Sequence, residues 1–238
     1  MWEESKHPRD SDGKFTNKGN EQDSIREFAS FGKKKKLNFV RPLESYDRSY
    51  QHKKGYIAGA PKGKPMTHEE ADSGRVNPKY NISVGYKNNC AICVATYIAR
   101  RLGYDVEALP YNEKTMRGYA EDPLMFYEGE GNNVIVFEKV PKGTKTLDFL
   151  KQRCQYNKIL VLSFEWNKDS KKERTGHVIV AEKTNNGICL YDPQNNRTYM
   201  GKKISQYLFA VKSLRVADLT NVRINEKIAD KSMRAVKK

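Results

Sequence analysis

Three side chains of types that act together in nucleophilic catalysis follow one another along the chain: Cys90, His177 and Asp192. A thiol attacks a carbonyl carbon as the thiolate, and a neighbouring imidazole can take up its proton. A carboxylate beside that imidazole fixes its orientation and stabilises its charged form. The three residues therefore predict a cysteine nucleophile, a histidine acid and base, and an aspartate that orients the histidine.

The residues around Cys90 predict a helix that begins at or next to the cysteine. Apolar residues recur at helical spacing after it, and Gly103 supplies a C-terminal stop. Asn88 or Asn89 could cap this helix by accepting hydrogen bonds from its first free N–H groups. Cys90 would then lie in the first turn, where the positive end of the helix dipole favours a thiolate.

His177 and Asp192 are predicted to lie on neighbouring antiparallel strands joined by the turn at Thr184–Gly187. A two-residue loop in this turn puts Asp192 opposite Ile179 or Ala181, according to which pair forms the loop. Because alternate residues of a strand point to the same face, Asp192 then shares the face of His177. A three-residue loop would turn Asp192 to the other face, so the triad depends on the length of this loop.

Further strands and one helix are predicted around the hairpin. The strand-like runs cover residues 133–140, 159–166, 177–183, 187–192 and 207–216. A helix is predicted at 147–156, and a short extended segment at 105–108 after the cysteine helix. The fold class is therefore predicted as α+β, with the cysteine-bearing helix packed on an antiparallel sheet.

The composition predicts four regions of different character. Residues 1–36 are polar, rich in glycine and lysine, and are predicted to be a disordered basic leader or linker. Residues 37–80 are predicted to be an irregular lead-in segment, and residues 81–220 the catalytic domain. Residues 221–238 are predicted to be a basic C-terminal tail, frayed or disordered.

The chain carries a formal net charge of +15 and has a mean hydropathy of −0.83. This charge could indicate a nucleic-acid partner, but no helix-turn-helix, zinc-finger or RNA-binding signature accompanies it. A soluble basic protein with lysine-rich ends is the favoured interpretation. No apolar run reaches the about 18 residues of a membrane span, and no secretory signal is recognised at the N-terminus.

The four cysteines do not predict a disulfide framework or a metal site. Cys90 and Cys93 have the C-x-x-C spacing of redox pairs, so a redox pair is one alternative for these two residues. A zinc site would need a second ligand pair, and Cys154 and Cys189 are isolated. No metal and no cofactor are therefore expected. Cys93 is the alternative nucleophile if the helix begins one turn later, and both thiols could instead be core residues.

Five separated segments resemble the Tox-PL family, also called papain fold toxin 1. In order they are ADSGRVNPKY, NNCAICVATYIARRLGYDVEALP, GHVIVAEK, YDPQ and LRVADL, within roughly residues 66–220. The members of this family are predicted glutamine deamidases of bacterial polymorphic toxins and phage-head-associated proteins. The cysteine helix with GH and DP is also similar to bacteriocin-processing cysteine peptidases. The resemblance therefore implies a papain-like cysteine-enzyme fold.

The resemblance also implies the role of each site residue. Cys90 would be the nucleophile, His177 the base and acid, and Asp192 the orienting carboxylate, while Gln194 matches the YDPQ motif without an assigned role.

Papain relatives carry a glutamine a few residues before the cysteine for the oxyanion hole, and none stands there in this chain. The Cys90 backbone N–H with the Asn88 or Asn89 side chain is the predicted substitute.

The implied activity is that of a protein glutamine deamidase, a toxin or effector whose partner is a protein with a target glutamine. A thiol protease or a transglutaminase would use the same chemistry. The leader WEESKHPRDSDGKFT resembles segments near the ends of phage minor head proteins, which implies a phage or prophage origin and association with a phage head or portal.

In a toxin setting an immunity protein would be a further partner. Synthesis in a bacterial cytoplasm, followed by virion association or delivery into a target cell, is the expected setting. An inactive structural protein of the phage head, or a nucleic-acid-associated protein, is the non-enzymatic alternative.

Overall fold

The computed structural model describes residues 55–72, 74–114, 116, 122–131, 133–166 and 176–236. The predicted leader at 1–36 and the first part of the lead-in segment lie outside these residues. The strands are β1 (Tyr56–Ile57), β2 (Ala60–Pro61), β3 (Val106–Ala108), β4 (Tyr127–Gly129), β5 (Glu138–Lys139), β6 (Ile159–Trp166), β7 (Gly176–Thr184), β8 (Gly187–Asp192), β9 (Arg197–Met200), β10 (Val211–Asp218), β11 (Val222–Ile224) and β12 (Met233–Ala235). The helices are α1 (His68–Ala71), α2 (Val84–Lys87), α3 (Cys90–Arg101), α4 (Thr146–Arg153), α5 (Lys202–Phe209) and α6 (Glu226–Ser232).

A six-stranded antiparallel sheet in the order β5-β10-β6-β7-β8-β9 forms the centre of the molecule. The central strands are apolar on both faces because both faces are covered, unlike sheets with one face in water. Helix α3 packs against the face that presents Val178 and Val180. The opposite face, with Ile179 and Leu190, packs with α4 and α5. The α+β prediction with antiparallel strands is therefore confirmed.

Helix α3 is the most deeply buried helix of the described chain. Every residue from Cys90 to Arg100 is buried, so the helix passes through the core rather than lying on the surface. It ends after Arg101, and Gly103 follows with φ +105° in the left-handed region that favours glycine. The predicted stop at Gly103 is confirmed. No helix within the described ranges is long and apolar enough to span a membrane.

Two predicted strands are wrong in part. Of residues 133–140, only β5 (Glu138–Lys139) is a strand. The predicted strand at 207–216 begins only at Val211, because residues 202–209 form α5. Ile204, Tyr207 and Leu208 are spaced three and four apart, so in a helix they face the sheet together.

The predicted C-terminal tail is wrong for residues 222–236, which are folded into the core. β11 pairs with β4, β12 pairs with β3, and Ile228 and Met233 are buried. Asn225 begins α6 by accepting a hydrogen bond from the Ile228 N–H. The basic side chains of this segment, such as Arg234, are exposed, and their number made its apolar face hard to recognise in the sequence.

We expect Gly103→Ala to lower the free energy of unfolding by about 3 kcal/mol or more, because a Cβ at Gly103 would lie 2.6 Å from the Gly63 carbonyl oxygen. Gly143 is the matched control, since its φ is +84° and nothing lies within 4 Å of the added carbon. Gly143→Ala should cost only the backbone strain, about 1 kcal/mol. Urea unfolding measures both changes, and equal losses would contradict a tight contact between Gly63 and Gly103.

Candidate active site

Cys90 is the first residue of α3, as the sequence predicts. Asn89 precedes it as the N-cap residue, but its side chain does not cap the helix, so the predicted capping hydrogen bond is wrong. The Asn89 Nδ2 donates instead to the Leu109 carbonyl at 2.9 Å, and its Oδ1 accepts from the Cys93 thiol at 3.1 Å. These buried contacts fix the start of the helix from the inside of the molecule.

A buried asparagine that the sequence did not single out joins this region to the hairpin. The Asn77 side chain donates to the Tyr86 carbonyl at 3.0 Å and to the Gln194 carbonyl at 2.8 Å. It also lies 3.3 Å from Asn89 Oδ1. Asn77 therefore holds the segment before Cys90 against the loop after Asp192, and only its place in the ADSGRVNPKY segment could have pointed to it.

The hairpin has the geometry that the predicted triad requires. Thr184 pairs with Gly187, which leaves a two-residue loop, and Val180 pairs with Tyr191. Continuing this register by one residue puts Asp192 opposite Ile179, two residues from His177 and on the same face. The imidazole Nε2 and the Asp192 Oδ2 are 2.8 Å apart. The structure therefore brings the predicted base and the predicted carboxylate into direct contact.

The Asp192 carboxylate is 2 % exposed and has three donors. Oδ2 accepts from His177 and from the Asn195 side chain at 2.9 Å, and Oδ1 accepts from the Gln194 backbone N–H at 3.1 Å. Such donors replace the hydrogen bonds that a buried carboxylate loses from water. The tight turn after β8 therefore supplies the partners that keep the orienting group in place.

The Cys90 thiol lies close enough to the His177 imidazole to raise the pKa of that imidazole. Because Nε2 faces Asp192, the nitrogen that remains for the thiol is Nδ1. Burial alone would lower the pKa of His177, but the charge and hydrogen bond of Asp192, with the contact to Cys90, raise that pKa to about 10. The imidazole is therefore protonated at neutral pH, the state that pairs with a thiolate and can donate a proton to a leaving group.

Two aromatic residues on β6 enclose His177, and the sequence reasoning gave them no role. The Trp166 indole stacks on the imidazole with ring centroids 5.8 Å apart and planes 23° apart, and Phe164 meets it edge-on at 5.7 Å. An aromatic face stabilises a cation and keeps water from it. Phe164 pairs directly with His177 across the ladder, so the strand register was the signal that could have found them.

Cys93 does not have the surroundings of a nucleophile. The helix begins at Cys90 rather than one turn later, so the condition for the alternative assignment is not met. Cys93 is 0 % exposed against 8 % for Cys90, and burial raises its pKa well above the ordinary value. Burial likewise raises the pKa of Cys154 to about 11. Cys90 is therefore the one cysteine in contact with the imidazole and the better candidate.

The three polar candidates for the oxyanion hole are placed differently. The Asn89 amide is buried and donates to Leu109, and the Gln194 Nε2 donates to the Lys87 carbonyl at 2.7 Å. Neither amide group is free for a substrate. Asn88 is half-buried, ends α2, and its side chain has no hydrogen bond within the described chain. Asn88 is therefore the side chain that could join the Cys90 N–H.

The described residues contain no group of three or more histidine, cysteine, aspartate or glutamate side chains that could hold a metal ion. No protein-family model matches the chain, and no curated protein matches its sequence. The contacts among Cys90, His177 and Asp192 therefore carry the functional conclusion.

Proposed function

We propose that this protein is a cysteine-dependent amidohydrolase with a papain-like fold and that its reaction is the deamidation of a glutamine side chain in another protein. The observation that carries the proposal is the chain of contacts from the Cys90 thiol through the imidazole of His177 to the Asp192 carboxylate, 2.8 Å from Nε2. A helix start beneath the thiol and a carboxylate behind the imidazole are the two supports that such a nucleophile requires.

In the proposed reaction the Cys90 thiolate attacks the carboxamide carbon of the glutamine. The Cys90 N–H and the Asn88 side chain would stabilise the oxyanion of the tetrahedral intermediate. His177, protonated at neutral pH, donates its proton to the departing ammonia and leaves a thioester. Water, activated by the now neutral imidazole, then releases glutamate and the free thiol.

Proteolysis and transglutamination use the same thioester chemistry as deamidation. In proteolysis the amine of a peptide bond leaves instead of ammonia, and in transglutamination an amine attacks the thioester instead of water. The resemblance to the Tox-PL family favours deamidation, and with it a toxin or effector role of phage or prophage origin. In that setting an immunity protein and a phage head remain proposed partners. An inactive structural protein would have no need of a protonated imidazole against a thiol, and this contact favours an enzyme.

Incubation with glutamine-containing peptides, followed by an assay for ammonia and by mass spectrometry, tests the proposal. Deamidation converts one glutamine to glutamate with the peptide bonds intact, whereas proteolysis shortens the peptide and transglutamination joins it to an added amine. Ammonia release that is lost in Cys90→Ala is the expected result. Retained release in that variant, or none in the wild type with any peptide, would contradict the proposal.

We expect Asn88→Ala to lower kcat about 10²-fold with little change in KM, because the lost donor acts on the oxyanion rather than on the bound substrate. Asn81, an exposed asparagine in the same segment, is the matched control, and Asn81→Ala should leave kcat unchanged. Steady-state ammonia release measures both. An unchanged kcat in Asn88→Ala would exclude its side chain from the oxyanion hole.

A further inference from the structure

The two segments that border the His177–Asp192 pair carry cations without acids. No aspartate or glutamate occurs between Gly74 and Tyr104 or between Pro193 and Ala217. Four cations of these segments, together called the basic rim, lie beside the site: Arg75, Lys79, Lys87 and Arg197. Their surroundings decide whether they are ordinary surface charges.

The first three cations of the basic rim belong to a segment that is fastened along the loop after Asp192. The Asn77 side chain donates to the Gln194 carbonyl at 2.8 Å, and the Gln194 side chain donates to the Lys87 carbonyl at 2.7 Å. Residues 75–87 therefore border the loop that holds the catalytic carboxylate, and Cys90 follows three residues after Lys87.

The fourth cation borders the site from the other side. Arg197 on β9 pairs directly opposite Asp192. Tyr80 of the first segment lies near this strand, since its hydroxyl is within electrostatic range of both Asp192 and Arg197. Three of the four cations are exposed and Lys79 is half-buried, so the basic rim faces solvent.

Within the described residues the basic rim has no acidic partners, whereas four surface cations on other faces do. Within the ranges that the structure describes, none of its four members forms a salt bridge. Arg197 interacts with the hydroxyl groups of Tyr199 and Tyr80, which are not acidic partners. Surface cations on other faces pair with acids: Arg153 with Glu138, Lys158 with Asp218, Arg223 with Glu128 and Arg234 with Glu107. Uncompensated charges of one sign produce a field that attracts the opposite charge.

We propose that the basic rim binds aspartate and glutamate side chains that flank the target residue, so that the substrate is an acidic surface of a protein. This inference rests on the proposed function, because it takes the target to be a glutamine that reaches Cys90. A protein occupant is favoured over nucleic acid because the rim borders a thiol nucleophile whose chemistry needs a carboxamide. A nucleic acid bound there would cover the thiol without offering it a carbonyl to attack.

Fluorescence anisotropy with the Cys90→Ala variant measures binding without turnover. The probes are three labelled peptides with one central glutamine, flanked by acidic, by neutral or by lysine residues, and a labelled single-stranded DNA. We expect the acidic peptide to bind about tenfold more tightly than the neutral one and to weaken with added salt. Adding Lys87→Glu and Arg197→Glu together should remove this preference.

Lys62 and Lys64 supply the matched control. They are exposed, and they lie beside Gly103 at the opposite end of α3, since the Gly63 N–H donates to the Gly103 carbonyl at 2.9 Å. Lys62→Glu with Lys64→Glu makes the same change in net charge and should leave acidic-peptide binding unchanged. An equal loss of acidic-peptide binding in both double variants would show a nonspecific charge effect and overturn the proposal.

Two further results would overturn the basic rim as a protein-binding surface: neutral and acidic peptides that bind equally, or DNA that binds more tightly than the acidic peptide and is lost in the Lys87 and Arg197 variant. The wild-type enzyme separates this inference from the proposed function. Rim-dependent binding of the acidic peptide without ammonia release would support the surface and contradict the deamidase. Equal release from neutral and acidic peptides would contradict the surface alone.

Discussion

Replacing Cys90 by alanine is expected to lower amide hydrolysis on the order of 10⁴-fold or more, with little loss of stability. The thiol is the only group at the site that can form the thioester, and alanine fills the helix position without strain. Ammonia release and thermal unfolding measure the two effects. A variant that keeps more than a small fraction of the activity would show that another residue is the nucleophile.

Cys93→Ala is the matched control, one helical turn away. The Cys93 thiol is fully buried and donates to Asn89 Oδ1 at 3.1 Å. Its loss should lower the free energy of unfolding by about 1 kcal/mol, through the small cavity and the lost hydrogen bond, and leave kcat near the wild-type value. The opposite result, with activity lost in Cys93→Ala alone, would exchange the roles of the two cysteines.

Asp192→Asn is expected to lower kcat on the order of 10³- to 10⁴-fold, because the amide cannot stabilise the imidazolium or fix its orientation. The pKa of His177, now about 10, should fall toward its ordinary value of 6.5, since burial still opposes the charged form. An NMR titration of the imidazole resonances measures this change. A His177 that still titrates near pH 10 in the variant would contradict the account of the pair.

The same pair makes stability depend on pH. Because the folded pKa of His177, about 10, exceeds the unfolded value of 6.5, the folded protein holds the proton more tightly. The resulting stabilisation, on the order of a few kcal/mol, is complete below pH about 6.5 and declines as pH rises toward about 10. Urea unfolding at a series of pH values should show this decline in the wild type and a much smaller one in Asp192→Asn. Equal declines in both would assign the effect to other groups.

The parts of the site that sequence could predict are those that local rules decide. A two-residue loop and the alternation of side chains along a strand suffice to put His177 and Asp192 on one face. Helical spacing and a glycine in the left-handed region suffice to bound α3. The central strands β6 and β8 were predicted at their observed residues because their apolar runs are long and end abruptly.

What sequence did not predict depends on distant partners. Asn89 has the side chain of a helix cap, but Leu109 and Cys93 provide its hydrogen bonds, and neither could be known without the fold. Trp166 covers His177 only because β6 pairs with β7. Residues 222–236 are basic and contain few apolar residues, yet β12 pairs with β3, which lies far earlier in the chain.

The rate of alkylation by iodoacetamide as a function of pH, with peptide mapping, tests the central claim that Cys90 and His177 form a working pair. Cys93, Cys154 and Cys189 are internal references, since burial raises the pKa of each thiol. We predict that Cys90 reacts fastest and stays reactive at pH about 6, where an isolated thiol of pKa about 8.5 is almost wholly protonated.

In His177→Gln, which keeps a side-chain donor beside Asp192 and removes the titrating group, this reactivity at low pH should be lost. A Cys90 that reacts only near pH 8.5, and equally with or without His177, would contradict the catalytic pair. The protein would then be a binding or structural protein rather than an enzyme.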